Sequence, residues 1–235
     1  MKILAKIRYY IGAFIISSIV ALIMIPLLFV APKHSSKILH HFNKLIVFLL
    51  GGKVEEIGRL DPDCDMVLIN HQGIIDIIAM ESVECIDFRW VAKKELFDTP
   101  WFGYLLKHSD MICIDRDDKR GLLKLLKDAK ETSEYNRIIA IFPEGTRSSD
   151  QNLLPFKAGA AMVAKRLKLK VQPIVITGSK RLLNEHNYTA HNSTVKIIYL
   201  DPINVAGNNK EWYSQLSIQM QNAIDEEYNI HSRER

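Results

Sequence analysis

The apolar positions of the chain fall into two regimes. From Ile11 to Ala31 the stretch IGAFIISSIVALIMIPLLFVA carries no charged side chain. At a rise of ~1.5 Å per residue, a helix of that length reaches across a hydrocarbon core of ~30 Å. Lys2, Lys6 and Arg8 precede it, and Lys33 and Lys37 follow. A second apolar run, roughly Ile38 to Leu50, is interrupted by His40, His41, Asn43 and Lys44 and is short for a crossing. Two readings stand side by side. One is a helical hairpin dipped into one leaflet, which returns the chain to its starting side. The other is a single spanning helix that tolerates Pro26. Cleavage as a signal peptide is not expected: the run is too long for one, and a cut after Ala31 would need a small residue where Phe29 stands.

Past Gly51-Gly52 the pattern changes to short runs rich in Ile and Val, alternating with helical periodicity. The predicted strands are Met66–Asn70, Phe88–Ala92, Met111–Asp115, Ile138–Phe142, Val171–Ile176 and Val195–Leu200. The predicted helices are Ile75–Ser82, Arg120–Glu134, Gly159–Leu167 and Glu211–Tyr228. This alternation predicts an α/β fold, a mostly parallel central sheet flanked by helices. The expected organisation is a two-helix membrane anchor over residues 1–50 and an α/β domain over residues 51–235. In such sheets ligands gather at the carboxyl ends of the strands.

Composition adds limits. With 235 residues, 48% apolar and 25% charged, the chain can bury a real core. The net charge of +4 suits an anionic membrane surface or a phosphorylated ligand, and no nucleic acid is expected as partner. Cys64, Cys85 and Cys113 are odd in number and scattered, which points away from a disulfide framework or a zinc site. No metal site is expected. Walker A, GxGxxG, GxSxG and HExxH motifs are absent.

Three polar clusters sit just past predicted strands: NHQGIID (Asn70 to Asp76), ICIDR (Ile112 to Arg116) and IFPEGTRS (Ile141 to Ser148). A parallel sheet brings all three to one rim. His71 and Asp76, five positions apart, would diverge on a regular helix. They meet if His71 lies in the turn before the helix, and Gly73 would ease that turn. The carboxylate would then fix the imidazole tautomer and stabilise the imidazolium, making His71 a general base. No nucleophile is apparent in the chain, so a hydroxyl of the substrate would have to attack. Arg116 and Arg147 could grip phosphate bidentately or form salt bridges with Asp115 and Glu144. Gly145 permits close backbone approach, Thr146 adds a hydroxyl, and Glu144 could accept from a ligand hydroxyl. Lys93 and Lys94 follow another strand and could meet phosphate, and the cluster Trp101, Phe102, Tyr104, Leu105 and Leu106 could line an apolar site, touch the lipid interface, or simply cover the sheet.

Taken in order, NHQGIID, AKKEL, ICIDR, FPEGTRS and VQPIVI resemble the glycerolipid acyltransferases, more narrowly the bacterial 1-acyl-sn-glycerol-3-phosphate acyltransferases of the PlsC type. The resemblance covers about Val67 to Ile176. It implies that His71 is the catalytic base and Asp76 its support. It implies too that Arg116, Glu144, Gly145 and Arg147 bind the phosphorylated acceptor, with Lys93 as a further phosphate contact, and that Pro173 lines the acyl-donor side. The expected reaction moves an acyl group from acyl-CoA or acyl carrier protein to the sn-2 hydroxyl of lysophosphatidic acid, giving phosphatidate without a cofactor. The expected location is the cytoplasmic face of the cell inner membrane. Alternatives are another lysolipid as acceptor, or a non-catalytic membrane-binding protein. Family members often carry a glycine where this chain has Asp110.

Overall fold

The computed structural model describes residues 2–100, 102–115, 121–134, 137–207 and 211–233. The N-terminal apolar run forms one long helix, Lys2–Val30. It comprises α1 (Lys2–Ile19), a π turn (Val20–Met24) and α2 (Ile25–Val30). The π turn stands directly before Pro26. Pro26 brings no N–H and would clash with the preceding turn, and the wider π turn absorbs that mismatch instead of a break. A short 3-10 turn (Pro32–His34) reverses the chain into α3 (Ser35–Leu49).

The remaining elements, in chain order, are β1 (Gly52–Ile57), β2 (Met66–Ile69), α4 (Ile74–Val83), β3 (Phe88–Lys93), α5 (Lys94–Phe97) and α6 (Phe102–His108). There follow β4 (Ile112–Ile114), α7 (Gly121–Glu134), β5 (Ile138–Ile141), α8 (Ala158–Leu167), β6 (Lys170–Thr177) and α9 (Ser179–Leu182). The chain closes with β7 (Leu183–Asn184), β8 (Thr189–Ala190), β9 (Ser193–Tyr199), β10 (Ile203–Asn204) and α10 (Trp212–Arg233). All six predicted strands and four predicted helices are present. The sheet runs β1-β9-β6-β2-β5-β3-β4, with β10 paired to one end of β6. β6, β2, β5, β3 and β4 are mutually parallel, whereas β9 and β1 run the other way.

Each central strand divides its side chains between two apolar clusters. Val67, Ile69, Ala140, Ile174 and Ile176 enter one; Met66, Leu68, Ile139, Ile141 and Val175 enter the other. A strand with both faces buried needs cover on both sides, which is why these runs are unbroken rather than alternating. Helices α7, α8 and α10 cover the second cluster. α4 covers the first, and α3 lies on α4. Ile19, Met24, Ile46 and Val47 of the N-terminal helices belong to that same cluster. Gly12 makes the close seating of α1 possible, since a Cβ there would come within 2.8 Å of Leu50 Cδ2.

β1 escapes the periodicity because GKVEEI is a half-exposed edge strand whose only apolar residues are Val54 and Ile57. Asp110 has φ 52, the left-handed region that glycine enters freely. Its carboxylate accepts from Arg137 Nη1 at 2.7 Å and from Arg89 at 3.3 Å, contacts that a glycine could not make.

Candidate active site

Asn70 extends β2 beyond its last rung: its side chain donates to Ile176 O (2.9 Å) and accepts from Ile176 N (2.6 Å). This clamp sets where the next residue, His71, leaves the sheet. The chain then turns into α4 with Gly73 as the residue before the helix. Gly73 has φ −179, extended backbone open to any residue, so the turn does not depend on glycine there, contrary to the expectation from sequence. Asp76 occupies the first turn of α4 and is fully buried. Its Oδ2 accepts from Gln72 N (2.6 Å), Gly73 N (2.9 Å) and His71 Nδ1 (2.9 Å). The two backbone donors fix the side chain at the helix N-terminus. With Nδ1 committed to Asp76, the imidazole has Nε2 for proton transfer.

The imidazole lies flat on Phe142, with ring centroids 3.8 Å apart and planes at 15°. Phe142 in turn stacks on Trp90 at 5.2 Å. Trp90 Nε1 donates to Glu81 Oε1 at 2.7 Å. Burial pushes the Glu81 carboxyl up to about 8. The sequence shows Trp90 as a strand residue and Phe142 as the strand end that opens FPEGTRS; their alignment beneath the imidazole arises from β3 and β5 being neighbours.

His71 lines a cavity of about 800 Å³ at the carboxyl ends of β2, β5, β3 and β4. Lys93, Gly145, Thr146 and Arg147 line it too, as do Asp115 and Lys157. The floor is apolar, with Ile74, Ile77, Val91, Ile114, Leu122 and Leu125. A size of this order suits a small organic ligand held by a few polar groups. The described lining contains no serine or cysteine. Ser148 is nearby, but its N–H donates to His71 O (2.7 Å) and its hydroxyl faces the carbonyls of Asp150 and Asn152.

Gly145 has φ 71, a conformation glycine adopts without strain, and it sharpens the turn that aims Thr146 and Arg147 at the cavity. Arg147 also pairs with Glu185. Glu144 is placed differently from the sequence-based expectation. It is 1% exposed, outside the lining, and both its oxygens are taken: Oε1 by His71 N (2.8 Å), Oε2 by Leu154 N (2.7 Å). Burial raises its carboxyl above the usual range. It ties two loops together and has no route to a ligand. Pro173 likewise lies buried within β6, opposite Leu68, and does not reach the cavity. Arg116 and Trp101 lie outside the described residues. Lys94 turns to Asp115 at 2.9 Å.

Three polar residues at this rim escaped sequence reading. Lys157 directly precedes α8, and Lys180 follows β6 and donates to Ser148 O at 2.8 Å; burial holds the Lys180 ammonium below its usual value. A basic residue just past a strand end, the signal that exposed Lys93, would have found Lys180. Glu185, on the β7–β8 turn, carries no such signal.

The rim of the parallel sheet thus carries a histidine–aspartate pair with cationic side chains beside it and no serine or cysteine in the described lining. An acyltransferase family model matches residues 65–177. The chain is 37% identical over 174 residues to a 1-acyl-sn-glycerol-3-phosphate acyltransferase of Helicobacter pylori, covering 74% of this chain and 73% of that one. It is 28% identical over 199 residues to the Escherichia coli protein of the same name, covering 83% and 80%. Among solved structures, the 1-acyl-sn-glycerophosphate (LPA) acyltransferase PlsC from Thermotoga maritima superposes with TM-score 0.78 over 96% of this chain and 97% of that one, at 21% identity. The chain belongs to this acyltransferase family and is an O-acyltransferase.

Proposed function

We propose that the protein transfers an acyl group from a thioester, acyl-CoA or acyl carrier protein, to the sn-2 hydroxyl of lysophosphatidic acid, forming phosphatidate. The observation that carries this reading is the meeting of the His71–Asp76 pair with Lys93, Thr146 and Arg147 in one cavity. The names of the relatives support the acceptor. His71 Nε2 removes the hydroxyl proton as that oxygen attacks the thioester carbonyl. The C–O bond forms, the C–S bond breaks, and the imidazolium returns its proton to the departing thiolate. Asp76 stabilises the imidazolium between these steps. Arg147 and Lys93 hold the phosphate, and the apolar floor receives a hydrocarbon chain. The reaction so drawn uses no cofactor.

The apolar helix Lys2–Val30 suits membrane association, with only 22% of its most apolar window buried. We place it along the membrane surface rather than across it. Near one end Tyr9 packs edge-on against Tyr188 (5.4 Å); at the other Phe29 meets His108 (6.0 Å). A helix held to the same domain at both ends lies alongside it. α3 then returns the chain to the domain, and in our reading the catalytic site works at the cytoplasmic face of the inner membrane, where its lipid acceptor is.

The test is acylation of lysophosphatidic acid by purified membranes with labelled acyl-CoA and acyl carrier protein thioesters, for wild type and His71→Ala. Wild type should form phosphatidate, and the variant should lose at least ~10²-fold in kcat while still sedimenting with membranes. Near-normal turnover by the variant removes the base assignment.

A further inference from the structure

We infer that Glu185 is a positioning residue that sets Arg147 against the His71–Asp76 pair. The inference rests on the proposal that Arg147 holds the acceptor phosphate. Glu185 is bound at both carboxylate oxygens. Oε1 accepts from the backbone N–H of Ile74, the first residue of α4, at 2.9 Å. Oε2 pairs with Arg147 Nη1. α4 is the helix that carries Asp76, so the carboxylate spans the element that orients the base and the side chain that meets the phosphate.

Arg147 lines the cavity, whereas Glu185 does not. Glu185 meets the guanidinium at Nη1, and the planar fork carries further N–H donors that a phosphate could take. A long arginine otherwise samples many rotamers, and fixing it in advance removes that cost from ligand binding. The strut also has a footing. Glu185 sits on the turn between β7 and β8, which pair through Leu183–Ala190 and Asn184–Thr189. That hairpin packs on α1 through Tyr188 and Tyr9, while Asn192 accepts from Arg8. The apolar helix, the phosphate-binding arginine and the base are thereby referred to one another. The headgroup of a lipid lying in the membrane surface would meet Arg147 at a set height above Nε2.

The experiment is steady-state kinetics of wild type, Glu185→Gln, Arg147→Ala and the double variant, with lysophosphatidic acid and with monoacylglycerol, which lacks the phosphate. Glu185→Gln should raise the KM for lysophosphatidic acid about tenfold, leave the KM for the thioester donor unchanged, and leave monoacylglycerol acylation unchanged. In the Arg147→Ala background the same substitution should add nothing. Losses that multiply in the double variant, or an equal loss with both acceptors, overturn the inference. If Glu185→Gln does not fold, Glu185→Asp, which withdraws the carboxylate by one methylene, should show a smaller rise confined to the phosphate-bearing acceptor; an unaltered KM overturns it. Failure of wild type to acylate lysophosphatidic acid at all defeats the functional reading instead, a result distinct from these.

Discussion

Glu81 shows how one buried side chain can make stability depend on pH. It is 2% exposed, and its folded-state carboxyl sits at about 8 against an ordinary 4.5. Below pH ~4.5 the group is protonated in folded and unfolded chains alike and contributes no pH dependence. Between pH ~4.5 and ~8 the folded protein keeps a proton that the unfolded chain has released, so stability falls as pH rises. Above ~8 the loss is constant. Glu81→Gln removes this titration while keeping an acceptor for Trp90. Thermal unfolding should show the variant gaining on wild type across that window, reaching on the order of 4 kcal/mol at pH 8, with no such gain at pH 4. Parallel profiles would contradict the buried neutral carboxyl. At this scale the sequence showed His71, Asp76 and Arg147 because they follow apolar strands in tight motifs. It did not show that Glu144 faces inward, since a carboxylate bound by two backbone N–H groups reads the same as one facing solvent.

Among the elements, α3 has the most consequence outside the site. Ile46 and Val47 join Ile75, Ile78 and Ala79 in one apolar cluster. Removing residues 1–50 would therefore uncover core surface on α4 as well as delete the membrane-facing helix. The truncated chain should aggregate on expression, and detergent should not restore a cooperative unfolding transition. A soluble, cooperatively folding product would show that the α/β domain needs no cover from the N-terminal helices. The strands that were readable are those with both faces buried, where Ile and Val run without interruption. β1, β7, β8 and β10 were not, being exposed at an edge or only two residues long.

For the whole molecule, the proposed placement of Lys2–Val30 along the membrane surface predicts that the chain stays on one side of the membrane. Reporters fused at Met1 and at Arg235 should both read out as cytoplasmic, and a periplasmic signal from either would restore the spanning helix.

Local chemistry along the chain was enough to determine the apolar N-terminus, the alternation of strands and helices, and the order of the polar motifs at strand ends. Side-chain period and hydrophobic length are properties of neighbouring residues, and they survive without a partner. The reversal of β9 and β1, the stack from Glu81 through Trp90 and Phe142 to His71, and the strut from Ile74 through Glu185 to Arg147 were decided by the tertiary structure alone. Each joins residues far apart in sequence, and only packing of the sheet's neighbours brings their atoms within reach.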